Sequence, residues 1–197
     1  MSKYNMHILV CGGTGCHASE SDAIVCNLRD ELEAKGLTDK VQVILTGCFG
    51  FCEKGPIVKI MPDNTFYVQV KPEDAQTIVE KHRIKGRKVS RLLFKDPVTK
   101  EPVSDSKHMG FFKKQIRIVL RNCGMIDPEN LDHYLARDGY KGLEKALAMP
   151  WNEVLEVVKN SGIRGRGGAG FPTWRKWLLC RENESAERYL ICNADEG

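Results

Sequence analysis

Two hydrophobic rhythms share the first 83 residues. Short apolar runs at residues 7–10, 41–45, 57–61 and 65–70 have the length and β-branched content of strands. Between the first two runs, Ile24, Leu28 and Leu32 recur at helical spacing, which predicts a helix capped by Ser19 or Ser21, running to Lys35 and stopped by Gly36. Pro62-Asp63-Asn64 supplies a turn between the third and fourth strands. Pro72-Glu73-Asp74 opens a second helix that reaches about His82, with acids near its positive end. The order β-α-β-β-β-α predicts a small mixed sheet with helices packed on it, an α/β class.

Beyond residue 83 the rhythm breaks. Residues 84–110 carry Pro97, Pro102 and several lysines without a sustained period, the mark of a linker. Residues 111–120 suit helix and strand equally. Helices are expected at 127–137, 143–149, 151–159 and 173–179, and a strand at 189–192. The chain thus divides into a compact unit over 1–83, a basic linker over 84–110 and a mainly helical part over 111–197.

Composition narrows the function classes. With 42% hydrophobic and 28% charged residues the chain can bury a core. It has no apolar run near the roughly 20 residues a membrane helix needs, and no basic, apolar and small-residue leader at its start. A direct membrane span is not expected, and the eight cysteines then sit in a reducing cytoplasm, where clustered thiols favour metal or redox chemistry over disulfides. The net charge of +4 is uneven, with residues 1–80 at −4, 81–121 at +10 and 122–197 at −2. The basic block lacks interleaved aromatics and any reading motif, so a solvated segment, or one that docks an acidic partner subunit, is preferred to a nucleic-acid patch.

The cysteines carry the first chemistry. Cys11 and Cys16 end the first strand, and Cys48 and Cys52 end the second. Loops at neighbouring strand ends can gather four thiolates, as an iron-sulfur cluster requires. Gly12, Gly13, Gly15, Gly47 and Gly50 let the backbone wrap closely and offer N–H groups to sulfur, while Phe49 and Phe51 can exclude water. Four buried thiols and a zinc site are the competing readings, although structural zinc usually uses tighter C-x2-C knuckles. The spacing Cys11-x4-Cys16, 31 residues, Cys48-x3-Cys52 on this element order resembles the thioredoxin-like [2Fe-2S] ferredoxins. The resemblance covers about residues 5–83 and implies that Cys11, Cys16, Cys48 and Cys52 are the ligands. Cys26, Cys123, Cys180 and Cys192 are isolated and read as small apolar residues.

A second motif lies near the end of the sequence. Gly165-x-Gly167-x-x-Gly170 matches the dinucleotide fingerprint in letters, but a helix rather than a strand precedes it, which rules out a Rossmann unit. Its backbone N–H groups, Arg164, Arg166 and the helix behind still suit a phosphate or a flat ring. The string from Gly162 to Trp177, together with Cys192-Asn193-Ala194-Asp195-Glu196-Gly197, resembles the FMN- and NADH-binding 51-kDa-type subunit of complex I. The segment from Arg121 to Pro128 resembles the lead-in of that family. The resemblance implies that Gly165, Arg166, Gly167, Gly168, Ala169 and Gly170 line the flavin and nicotinamide, that Phe171 stacks near the nucleotide, and that Lys176 contacts the flavin. Asn193, Asp195 and Glu196 would line its edge. Trp174 stands where the family often has glycine.

The resemblance therefore implies an electron-transfer subunit that passes electrons from NAD(P)H through FMN to iron-sulfur clusters, as in complex I and the beta subunit of NAD(P)-linked hydrogenases. Partners would be a 24-kDa-type ferredoxin subunit and an iron-sulfur or hydrogenase catalytic subunit, with no nucleic acid, in the cytoplasm or at the periphery of a membrane complex. The family continues to a [4Fe-4S] cysteine set absent from these 197 residues, so the chain reads as an N-terminal fragment that assembles the [2Fe-2S] cluster and binds FMN weakly. The alternative is a stand-alone ferredoxin acting as an electron carrier.

Overall fold

A computed structural model of the chain describes residues 4–187, 189 and 191. They fall into two compact units, one ending at Arg137 and the other beginning at Asp138. In the first, the apolar runs become β1 (Met6–Cys11), β2 (Val41–Thr46), β3 (Val58–Met61) and β4 (Thr65–Tyr67). They form a mixed sheet in the order β2-β1-β3-β4, with β2 parallel to β1 and the other pairs antiparallel. A short turn of helix, α1 (Thr14–His17), and the longer α2 (Ser21–Ala34) make the crossover that a parallel pair requires. A helix that begins as α3 (Asp74–Thr77) widens to π-type winding over Ile78–Ile84.

Strand alternation sorts the core into two layers. Ile8, Val10, Val41, Val43, Val58, Ile60 and Tyr67 face α2 and α3, where Ile24, Leu28, Leu32, Ala75 and Ile78 meet them. Leu9, Cys11, Ile44 and Phe66 face the other way. Gly36 ends α2 with φ +62°, the left-handed geometry expected of a stop. The expected serine caps do not form: Glu20 precedes the helix, and the Ser21 hydroxyl is buried without a hydrogen bond. The helix start is therefore set by the path of the chain and by packing rather than by a side-chain cap.

Residues 84–110 are not a free linker. Val89, Leu92 and Leu93 join the helix-side core, and Phe94 and Met109 join the opposite one. The segment folds as a two-stranded ribbon, β5 (Phe94–Lys95) with β6 (Pro102–Val103), followed by α4 (Gly110–Lys113). It covers the second face of the sheet. Its buried positions sit on turns and two-residue strands, which leave no period to read. Residues 111–120, ambiguous in sequence, are helical only at their start; Ile116, Ile118 and Val119 are exposed. The helix expected at 127–137 shortens to α5 (Leu131–Leu135), begun by Asn130, whose side chain accepts from the Asp132 and His133 amides.

One buried polar chain ties the linker to the sheet. The Val89 amide donates to the Tyr67 hydroxyl (2.9 Å), which lies 2.6 Å from His82 Nδ1, and His82 Nε2 is 3.2 Å from Asp63. Burial pushes the His82 pKa below 6.5 and Lys88 adds to that, while Asp63 opposes them. Because the folded state holds the ring neutral, its contribution to stability is complete above pH 6.5 and is lost as the pH falls through the lower folded-state value. Denaturant midpoints measured from about pH 7.5 to 5 should fall with acid, and His82→Gln should flatten that step.

The second unit contains α6 (Lys141–Leu147), α7 (Trp151–Asn160) and α8 (Thr173–Arg181), close to the helices expected. The Arg181 guanidinium lies 5.3 Å from the Trp151 ring centre, and Lys159 Nζ lies 5.4 Å from that of Trp174. Among the described residues no helix is long and apolar enough to cross a membrane. The expected strand at 189–192 falls largely outside the described residues.

Candidate cofactor sites

The parallel pairing of β1 and β2 sets Cys11 opposite Thr46, so both cysteine loops leave the same end of the sheet. Cys11 and Cys16 are buried, Cys48 is half-buried and Cys52 is exposed. Burial, together with a hydrogen bond and repulsion from Cys11, pushes the Cys16 thiol up to about 12; the Ile57 amide opposes them, and Cys52 adds to them. Cys52 is raised mainly by the charge of Cys48, then by burial, a hydrogen bond to Cys48 and the charge of Cys11. The geometry places them together: Gly13 faces Cys48 Sγ and Cys11 Sγ, and Gly55, three residues past Cys52, faces Cys16 Sγ.

The glycines around them are there for room. A Cβ on Gly13 would lie 2.9 Å from Cys48 Sγ, and one on Gly55 2.7 Å from Cys16 Sγ. The Gly50 amide, at φ +77°, donates to Cys48 Sγ (3.2 Å). The Gly12 amide instead donates to the Thr46 carbonyl (2.8 Å), so it supports the sheet rather than a sulfur. Phe49 and Phe51 are buried beside the loop as expected: Phe49 meets Phe66 edge-on at 5.4 Å, and Phe51 stacks on Phe111 at 4.6 Å.

This donor set fits a two-iron cluster. Among the described residues no group of three or more His, Cys, Asp or Glu side chains is placed to hold a metal ion. Structural zinc needs four ligands around a single ion, whereas a diiron cluster takes two thiolates at each iron. Crowding that makes single thiols hard to ionise is relieved when each loses its proton to a metal.

The expected flavin loop is closed at its base. The Gly165 amide donates to the Phe171 carbonyl (2.8 Å) and the Thr173 amide to the Ile163 carbonyl (3.2 Å), so residues 165–171 form a loop leading straight into α8. Gly168 and Gly170 take φ +99° and +60°, which only glycine adopts without strain. Lys176, one turn into α8, brings its ammonium against Gly165, where a Cβ would displace the lysine's flexible end. Arg175 lies over the Phe171 ring at 6.0 Å. Trp174 does not disturb the closure. Arg166, Gly167 and Ala169 lie exposed on the loop, while Asn193, Asp195 and Glu196 lie outside the described residues.

The isolated cysteines separate. Cys26 and Cys180 are exposed rather than packed as apolar residues, and Cys192 lies outside the described residues. Cys123 is half-buried with its sulfur against Gly47. With Thr46, Lys59 and Gly124 it belongs to a contact that sequence reasoning misses. The lead-in string containing Asn122-Cys123-Gly124 is the available signal, because a glycine there at φ +71° marks a fixed backbone.

Comparison with known proteins gives two family matches. The family described as thioredoxin-like [2Fe-2S] ferredoxin matches residues 2–83, and the Nuo51 FMN-binding domain matches residues 158–197. The NADP-reducing hydrogenase subunit HndC of Solidesulfovibrio fructosivorans is 58% identical over 85 residues, covering 43% of this chain and 17% of that relative. An NADH-quinone oxidoreductase subunit of Streptomyces coelicolor is 52% identical over 66 residues, covering 34% of this chain and 15% of the relative. The chain thus spans less than a fifth of these relatives. A crystal structure of the thioredoxin-like [2Fe-2S] ferredoxin from Aquifex aeolicus is 32% identical with a TM-score of 0.42, covering 46% of this chain and 96% of that one. The chain is thus similar to the thioredoxin-like [2Fe-2S] ferredoxin family over residues 2–83 and to the Nuo51 FMN-binding domain family over residues 158–197.

Proposed function

We propose that the chain acts in an oxidoreductase that moves electrons from NAD(P)H through FMN to iron-sulfur clusters, with Cys11, Cys16, Cys48 and Cys52 as ligands of a [2Fe-2S] centre. The observation that carries this reading is the meeting of the two cysteine loops at one end of the sheet, with Cys11 and Cys48 sulfurs both beside Gly13 and the Cys16 sulfur beside Gly55 of the second loop. When bound, FMN accepts the two electrons of a hydride and the cluster takes them singly. The chain's own residues hold and orient. The Gly50 amide and the buried Phe49 and Phe51 rings set the polarity around Cys48. The closed loop at 165–171 offers backbone N–H groups at a helix start, with Arg166 and Lys176 adding positive charge toward the flavin and nucleotide. Phe171 supplies a flat face for the nucleotide, and Asn193, Asp195 and Glu196 hydrogen-bond the flavin edge.

Relatives named as subunits support work inside a multi-subunit complex, alongside a 24-kDa-type ferredoxin subunit and an iron-sulfur or hydrogenase catalytic subunit. A cytoplasmic location, peripheral to a membrane where the complex has one, follows from the same reading. Anaerobic reconstitution with ferrous iron and sulfide tests the central assignment. The expected product carries two irons and two acid-labile sulfides per chain and bleaches on uptake of one electron. A colourless chain holding zinc would overturn it.

A further inference from the structure

The second cysteine loop is held from behind by residues that follow the ferredoxin family match. Residues 122–126 run across residues 46–49 as a strap, tied by hydrogen bonds from its backbone. The Gly124 amide donates to Thr46 Oγ1 (3.0 Å), and the same hydroxyl donates to the Ile126 carbonyl (3.1 Å). The Gly124 carbonyl accepts from buried Lys59 (3.4 Å), and the Cys123 carbonyl from Arg117 (3.2 Å). Two close approaches seal the contact. A Cβ on Gly47 would lie 2.7 Å from Cys123 Sγ, and one on Gly124 would fall within the Phe49 ring.

Thr46 is where these contacts meet. Its backbone carbonyl accepts from the Gly12 amide in the first cysteine loop, its hydroxyl clasps the strap, and it stands two residues before Cys48. It is itself buried at 2% exposure. We infer that Thr46 is a positioning residue for the cluster, its hydroxyl locking residues 122–126 onto the second cysteine loop and thereby fixing how Cys48 is presented and how much water reaches it. The inference rests on the proposed [2Fe-2S] site. It extends that site beyond the family's own span, because the element that steadies the second ligand pair is supplied by downstream chain.

The hydroxyl is the part that acts. Valine keeps the shape but leaves the Gly124 amide and the Ile126 carbonyl without their partner, whereas serine keeps both bonds. Loosening the strap admits water to the Cys48 loop, which favours the more negative, reduced cluster and raises its midpoint potential. In the full chain, Thr46→Val should release iron to a chelator about tenfold faster than the unaltered chain, the factor for one lost buried hydrogen-bond partner. Its midpoint potential should shift upward, and in the cluster-free chain the amides of residues 122–126 should exchange faster. Thr46→Ser should restore all three. Should Thr46→Val not fold, Gly124→Ala lifts the strap against Phe49 without touching the sheet, and should reproduce the faster release and the shifted potential. Wild-type release and potential in Thr46→Val, or in Gly124→Ala, would overturn the inference, as would serine and valine behaving alike. An unaltered chain that takes up no two-iron cluster would instead defeat the proposed site itself.

Discussion

Replacing Cys11 or Cys16 with alanine is expected to give a folded chain that takes up no two-iron cluster, while Cys26→Ala reconstitutes fully. These two cysteines are 1% and 2% exposed, within an apolar layer of Leu9, Ile57, Phe51 and Phe66. In that layer an uncharged thiol behaves as a small apolar group, so its loss removes little packing. What it removes is a ligand. Weakening even an outer partner of a metal ligand lowers affinity about 10–100-fold, and deleting the ligand removes more. Alanine is the informative choice because serine leaves an oxygen that can take the vacated position. Cys26 sits exposed on α2 and serves as the matched control for thiol loss. Visible absorption and iron content per chain read the outcome. Full iron content in either Cys11→Ala or Cys16→Ala would remove that cysteine from the ligand set.

Much of this site is legible in the sequence because its two determinants are local. Strand ends are marked by apolar runs at residues 7–10 and 41–45 that stop at glycine and cysteine, and a helix between two strands implies parallel neighbours. Those facts alone place Cys11 near Cys48. What lies out of reach depends on contacts distant in sequence. Lys59 sits in a run that reads as a buried strand, and nothing local says that its ammonium goes to the Gly124 carbonyl. Met109 is fully buried, yet its neighbours are histidine and glycine, so no window of sequence marks it as core. Charge dominates the pattern of the basic segment, but Lys88, Arg91 and Lys95 flank or interrupt Val89, Leu92, Leu93 and Phe94, the residues that cover the sheet. The helix caps fail for a related reason: a serine is a good cap in isolation, and at Ser21 the tertiary fold buries it instead.

Gly13→Ala should separate cluster assembly from folding, lowering cluster retention severely while leaving the cluster-free chain at least as stable as before. At φ −64° and ψ 152° the residue occupies a region that alanine adopts freely. Exchanging glycine for alanine at such a position stabilises a protein by about 0.4–1 kcal/mol through the unfolded state. The new methyl group, however, would stand 2.9 Å from Cys48 Sγ and 3.1 Å from Cys48 Cβ, with Cys11 Sγ at 3.6 Å. In the cluster-free chain Cys48 can swing aside, since its loop is half-exposed. A bound cluster takes that freedom away, because its sulfur must then point at iron, so the sulfur clash is felt in the loaded state. The Cβ contact asks the half-exposed loop for a shift of a few tenths of an ångström in either state. Gly15 supplies the contrast. A methyl there would meet nothing nearer than Cys52 Cβ at 3.9 Å, an ordinary contact, so Gly15→Ala should keep its cluster. Iron release to a chelator and denaturant midpoints of the iron-free chains distinguish the two effects. Equal retention in Gly13→Ala and Gly15→Ala would mean that Cys48 does not turn its sulfur toward the Cys11 loop when the metal is bound.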